Sequence, residues 1–276
     1  MKELSAILES YGTMVDRQIE KYIPRAGKPT TLYGPVWELL DRGGKRFRPA
    51  LTLLFCDAVG GRIREALPAA AGVEILHNMT LIHDDIEDQS ELRRGKPCIH
   101  IMFGVPTAIN SGDAMLIKVF EAAAESPLDA ADGNRLIRLF ARRAFQITRG
   151  QALEFELNGR KSFTEKDVIE VLENKTSALV ALACEAGAIA GRAKKGQFSV
   201  ATKFGESIGV GFQIIDDLLN VTGDVSKYGK EIGGDIREGK RTIMAAHVVK
   251  SGSDADRDRF MSLLGRSTIS PEEISE

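Results

Sequence analysis

The chain has 276 residues, 43% of them hydrophobic and 28% charged, with a formal net charge of −2. Those proportions are ordinary for a globular fold of one large or two small domains. The near-neutral balance carries no basic field and so argues against nucleic acid as a partner, and no run of about 18 uncharged apolar residues offers a membrane span.

From Met1 to Tyr22 apolar residues recur among charged ones at helical spacing, without the apolar core of a signal peptide. Helical spacing continues nearly throughout, and sustained period-two alternation does not occur, so the chain is expected to be all-α. Breaks are expected at Gly34-Pro35, Gly60-Gly61, Gly104-Val105-Pro106, Gly229 and Gly233-Gly234. With no linker or low-complexity stretch, residues 1–276 read as a single all-α domain. Cys56, Cys98 and Cys184 have no paired spacing and read as reduced, mostly buried thiols of a cytosolic protein; the few histidines lack the spacing of a zinc site.

The stretch Gly43-Gly44-Lys45-Arg46-Phe47-Arg48 reads as an anion site. Glycine lets the backbone approach a phosphate, and Lys45 and Arg48 share a face if the segment is helical. Next comes an apolar run with Val73, Leu76, Thr80 and Asp84 on one face, ending in Asp84-Asp85-Ile86-Glu87-Asp88. His77 lies about two turns before Asp84 and so on the same side, and His83 precedes the cluster as a group that orients a carboxylate or, more in keeping with its position, makes a structural hydrogen bond. Like charges on one helix face repel unless a cation neutralises them. Arg93 and Arg94 follow. Gly104 to Phe120 is an apolar stretch fit for a subunit contact or for the core.

Gly150-Gln151 with Glu154 adds another carboxylate, one that could reach a metal through water; Lys175-Thr176 follow, and Thr176 to Gly191 reads as a buried helix of small residues interrupted by Glu185. A second apolar run, with Ile208, Phe212, Ile215 and Leu219 on one face, carries Asp216-Asp217-Leu218-Leu219-Asn220. Lys230 and Lys240 follow it. Two acidic clusters with basic partners are what hard cations such as Mg²⁺ need in order to grip a diphosphate, and two such helices are expected to face each other in a bundle. Asp84, Asp88 and Asp216 are the candidate metal ligands, while Asp85 belongs to the same catalytic cluster. Arg93, Lys175 and Lys240 are basic residues that could meet the charge of such a diphosphate. At the end of the chain Ser270-Pro271-Glu272-Glu273 has the composition of a helix start, read as a vestigial helix or the beginning of C-terminal helices that the chain lacks.

Taken together, Gly43 to Pro49, His77 to Pro97, Lys175-Thr176 and Phe212 to Thr242 resemble, in order, the motifs of the trans-isoprenyl diphosphate synthases. That resemblance implies an all-α isoprenoid-synthase bundle with a central cavity, a homodimer, a Mg²⁺ cofactor, and head-to-tail condensation of an allylic diphosphate with isopentenyl diphosphate. It also implies that Gly44, Lys45, Arg48, His77 and Arg94 bind isopentenyl diphosphate, and that Arg93, Lys175, Thr176, Phe212, Gln213, Lys230 and Lys240 line the allylic side. The segment from Lys230 to Thr242 resembles the part that closes over the allylic diphosphate and excludes water. Two departures stand out: Asn220 occupies the place of a common third Asp, and Glu154 that of a common Asp.

Product length is set by what stops the growing tail. Met79 and Thr80, one to two turns before Asp84, are the expected floor; Ile75, Leu76 and Phe120 are alternatives. By the resemblance a large aromatic at position 79 marks a shorter product, so geranylgeranyl diphosphate is expected here. The alternatives are a longer polyprenyl or a farnesyl product, or a non-catalytic subunit of a heteromeric synthase; a terpene cyclase would not need the Gly44 to Arg48 site.

Overall fold

The computed structural model describes residues 2–223, 232–266 and 268–275. Helix dominates, as the apolar spacing predicts. The helices are α1 (Lys2–Tyr22), α2 (Thr30–Leu40), α3 (Phe47–Ala58), α4 (Ile63–Glu87), α5 (Ile99–Phe103), α6 (Val105–Ala124) and α7 (Ala130–Asn158). Then come α8 (Glu165–Leu172), a π-helical turn at Glu173–Ser177, α9 (Ala178–Ala190) and α10 (Lys195–Thr222). The last are α11 (Gly234–Glu238), α12 (Ile243–Ser251), α13 (Asp254–Leu263) and α14 (Pro271–Ser275). Among the described residues the strands are β1 (Leu92–Arg93) and β2 (Lys96–Pro97), an antiparallel hairpin between α4 and α5. The backbone falls into two compact units, residues 1–144 with 179–205, and residues 145–178 with 206–276.

In the first unit α4 is the central element, packed by α1, α3 and α6. Its residues Ala66, Ala69, Ala70, Ala71, Val73, Ile75 and Leu76 are wholly buried on every side, which is what a helix without a polar face requires. Gly72 makes room for Phe140, whose ring would lie 3.2 Å from an added Cβ. In α9 the small residues expected from the sequence are buried, and Gly187 passes so close to α3 that a Cβ would come within 2.1 Å of the Thr52 carbonyl oxygen. Glu185, which interrupts that apolar run, is matched by the fork of Arg143 at 2.8 Å to each oxygen. All three cysteines are buried and unpaired, and burial pushes Cys56 up to about 11 and Cys98 and Cys184 to about 12.

The second unit has its own core of Leu157, Phe163, Val168, Val171, Leu172, Ala245 and Ala246. Capping boxes start α8 at Thr164 with Asp167 and α13 at Ser253 with Asp256. Ser270 and Glu273 exchange the equivalent bonds at α14, as the composition there predicts.

One expectation is corrected. Gly34-Pro35 does not separate helices but lies inside α2, where the burial of Pro35, Val36, Trp37, Leu39 and Leu40 outweighs the lost backbone bond. On α10 the face of Ile208, Phe212, Ile215 and Leu219 expected from the spacing is 39%, 52%, 54% and 40% exposed at those residues. Among the described residues no helix is long and apolar enough to cross a membrane.

Candidate active site

The loop before α3 is built by backbone that only particular residues tolerate. Gly43 and Gly44 have φ of 78° and 147°, and a side chain on Gly44 would meet the guanidinium nitrogens of Arg94 and Arg46 at 3.1 and 3.2 Å. Helix α3 begins only at Phe47, so Lys45 and Arg48 do not share a helical face as expected: Lys45 is exposed on the loop and Arg48 is in the first turn. Arg48 Nη1 lies 3.4 Å from His77 Nε2, which brings the two predicted partners together. Burial, then Arg48, Arg94, Arg93 and Arg46, hold His77 well below its ordinary value, so the ring is neutral at pH 7.

Arg93 and Arg94 reach this region through the hairpin that sequence spacing missed. Arg94 and Gly95 at its turn both have positive φ, 54° and 75°, the conformation of a two-residue hairpin. Arg42, not singled out from the sequence, holds the hairpin through Nη1 to the Arg93 carbonyl at 3.1 Å and Nη2 to the Pro97 carbonyl at 2.9 Å. Arg94 in turn donates to the Gly43 carbonyl.

The first acidic cluster occupies the last turn of α4, where the helix dipole disfavours anions. Its members separate. Asp84 is half-buried and Asp88, the C-cap, is exposed, whereas Asp85 is 1% exposed and receives Arg93 Nε and Nη2 on Oδ1 at 2.8 and 2.5 Å. Burial opposes charge on Arg93, but Asp85 outweighs it and holds the guanidinium above its usual range. His83 lies 3.7 Å from Asp113, at a place where Gly112 leaves room for its ring.

The second cluster repeats this division. Asp216 is half-buried, while Asp217 is 1% exposed and accepts Lys240 Nζ at 2.7 Å and Gln213 Nε2 at 2.9 Å on Oδ1. Thr176 Oγ1 donates to Gln213 Oε1 at 3.0 Å, so Thr176, Gln213, Asp217 and Lys240 form one hydrogen-bonded line. Burial opposes charge on Lys240, yet Asp235 and Asp217 raise it above the usual lysine range. Lys175 projects from the π-helical turn, a feature frequent at functional sites, and its Nζ meets Glu154 Oε2 at 2.5 Å. Glu154 is therefore a partner of Lys175. Asn220 is buried, and its Oδ1 accepts the backbone N–H of Asp235 at 3.1 Å, so its amide braces the start of α11. Phe212 is 52% exposed on α10, and Lys230 lies outside the described residues. Met79 is nearly buried at 8% exposure, and Thr80 donates to the His77 carbonyl at 2.8 Å.

The model of the polyprenyl synthetase family matches residues 29–276. The chain belongs to that family. It is a trans-prenyltransferase, in agreement with the resemblance of its motifs. It is 38% identical to a short chain isoprenyl diphosphate synthase of Methanothermobacter thermautotrophicus over 265 residues, 96% of this chain and 81% of that one. Its fold matches the crystal structure of a geranylgeranyl pyrophosphate synthetase from Pyrococcus horikoshii with a TM-score of 0.94 and 33% identity, covering 99% of this chain and 83% of that one. It also matches a polyprenyl synthase from Caulobacter crescentus, solved with calcium and isoprenyl diphosphate, with a TM-score of 0.88 and 26% identity over 98% and 81% of the two chains.

Proposed function

We propose that this prenyltransferase joins an allylic diphosphate to isopentenyl diphosphate and releases geranylgeranyl diphosphate. The observation that carries the assignment of roles is the split within each Asp pair. Asp85 and Asp217 are buried under Arg93 and Lys240, whereas Asp84, Asp88 and Asp216 keep solvent access. Asp84, Asp88 and Asp216 would hold Mg²⁺, and the donor set suits it, being carboxylate oxygen throughout. Among the described residues no three His, Cys, Asp or Glu side chains close into a cage, which Mg²⁺ does not require, since it keeps waters and takes phosphate oxygens beside one or two carboxylates. Bound Mg²⁺ would act as a Lewis acid on the departing diphosphate.

The chain's own residues do the rest. Asp85 and Asp217 act as positioning residues that aim Arg93 and Lys240, whose fixed charge, with that of Lys175, meets the negative charge developing as the allylic carbon–oxygen bond breaks. Thr176, Phe212 and Gln213 line the allylic side. Gly44, Lys45, Arg48, His77 and Arg94 hold isopentenyl diphosphate, whose double bond attacks the allylic cation before a proton leaves.

Mass spectrometry of products formed from isopentenyl diphosphate, Mg²⁺ and each allylic primer from C5 to C20 tests this reading. A single C20 product is expected, with Met79→Phe shortening it and Met79→Ala lengthening it. Absence of elongation with every primer would sink the activity; product length indifferent to both Met79 changes would sink its role as the floor.

The active unit is further proposed to be a homodimer. Ile101, Met102, Phe103, Val105, Ile109 and Ile117 on α5 and α6 are 39–68% exposed, a run of apolar surface that a monomer would leave in water. Ile109→Lys with Ile117→Lys is expected to convert the dimer to a monomer in sedimentation velocity; an unchanged sedimentation coefficient would place the contact elsewhere.

A further inference from the structure

The isopentenyl diphosphate site contains a buried carboxylate of its own. Glu74 on α4 is 2% exposed; burial pushes its carboxyl above the usual range, and Arg46, Asn78, Arg48 and Arg94 oppose that shift by favouring the charged form. Left to itself, this anion would compete with a diphosphate for the same guanidiniums. It is instead occupied: Glu74 Oε1 receives Arg46 Nη1 and Asn78 Nδ2, each at 2.9 Å.

Arg46 is placed for that task by an unusual backbone. Its φ of 45° and ψ of 31° are left-handed, a conformation costly for any residue with a Cβ, and its side chain is 8% exposed. The fork spends its donors in several directions, Nε on Asp16 at 2.8 Å, Nη2 on the Leu40 carbonyl at 3.1 Å, and Nη1 on the Gly43 carbonyl at 3.4 Å as well as on Glu74. Arg46 thus ties α1, the end of α2, the glycine loop and α4 together. By contrast, the Arg48 side chain has one hydrogen-bond contact among the described residues, His77, and its buried Nε has none. The buried carboxylate is matched by Arg46 and Asn78, and Arg48 keeps donors in hand.

We propose that Arg46 is a positioning residue for isopentenyl diphosphate: it occupies Glu74, which leaves Arg48 and Arg94 to the substrate, and it locks the loop that presents Lys45. This rests on the reading of Gly44, Lys45, Arg48, His77 and Arg94 as the diphosphate site.

Steady-state kinetics on the full chain test it. Arg46→Gln is expected to raise KM for isopentenyl diphosphate about 10- to 100-fold, the scale of a lost charged hydrogen bond, with kcat and the allylic KM changed less than threefold. Adding Glu74→Gln to Arg46→Gln removes the competing charge and should bring KM back to within about threefold of the parent. Arg46→Lys keeps the charge without the fork and should give an intermediate KM; with the double variant it carries the test should Arg46→Gln alone fail to fold. Arg48→Gln is the control for the site itself. If it leaves KM for isopentenyl diphosphate unchanged, the site assignment falls. If it raises KM but Arg46→Gln raises both substrates' KM alike, or Glu74→Gln gives no rescue, Arg46 only braces the fold and the proposal is overturned.

Discussion

Asparagine at position 84 or position 216 is expected to lower kcat about a thousandfold, the scale on which charge stabilisation at a breaking bond operates. The substitution keeps size and one oxygen but removes the charge a divalent cation needs. Excess Mg²⁺ should recover part of the loss if affinity is what suffers. The neighbours in sequence should behave differently. Asp85→Asn breaks a buried pair in which Arg93 donates twice to one oxygen, and leaving that guanidinium without its counter-charge is expected to cost about 3 kcal/mol of stability. Adjacent residues thus predict different phenotypes: lost turnover at an unchanged melting temperature for Asp84, and for Asp85 a lowered melting temperature together with the rate lost when Arg93 is no longer aimed. Turnover within tenfold of the parent for both Asp84→Asn and Asp216→Asn would remove those residues from the metal site.

The second large effect is expected at a residue without a side chain. A Cβ on Gly150 would lie 2.3 Å from the Lys175 backbone nitrogen and 2.6 Å from the Asn174 carbonyl carbon, so α7 and the π-helical turn must move apart in Gly150→Ala. Overpacking of this kind costs about 1–3 kcal/mol. The displaced element carries Lys175, and a shift of about 1 Å in a catalytic group can cost about a hundredfold in rate. Gly133, on the same helix, has nothing within 4 Å of the corresponding position. Gly133→Ala should therefore stabilise the chain by about 0.5–1 kcal/mol, as alanine does in an open helix interior, with activity intact. Thermal denaturation and initial rates on both variants check the pair; equal effects would mean that the close approach at Gly150 is not what holds the turn.

Much of this protein was legible in its residues because helical periodicity is local information. The spacing of apolar residues predicts α1, α4, α6, α9 and α10, and the acidic clusters, the glycine-rich basic loop and Lys175-Thr176 identify the chemistry by residue type. What spacing reports is which side chains share a face. It does not report what covers that face, so the exposure of Ile208, Phe212, Ile215 and Leu219 was not to be read from their order. Nor did it reveal Gly34-Pro35 inside a helix, where buried neighbours outweigh a strong local breaker.

The finer division of labour was decided by contacts between residues far apart in the chain. Asp84 and Asp85 are indistinguishable as letters, and so are Asp216 and Asp217. Arg93 arrives over Asp85 by way of a hairpin held by Arg42, and Lys240 arrives over Asp217 from α11's far side, 23 residues on. Glu74 and Arg46, an acid in an apolar helix and one more basic residue in a basic loop, become a matched pair only when α3 and α4 pack. The sequence alone determined the family, the fold class and the set of charged groups; the tertiary structure decided which carboxylates are buried beneath a guanidinium or ammonium and which keep solvent access, because burial depends on the partner that folding brings and not on the residue itself.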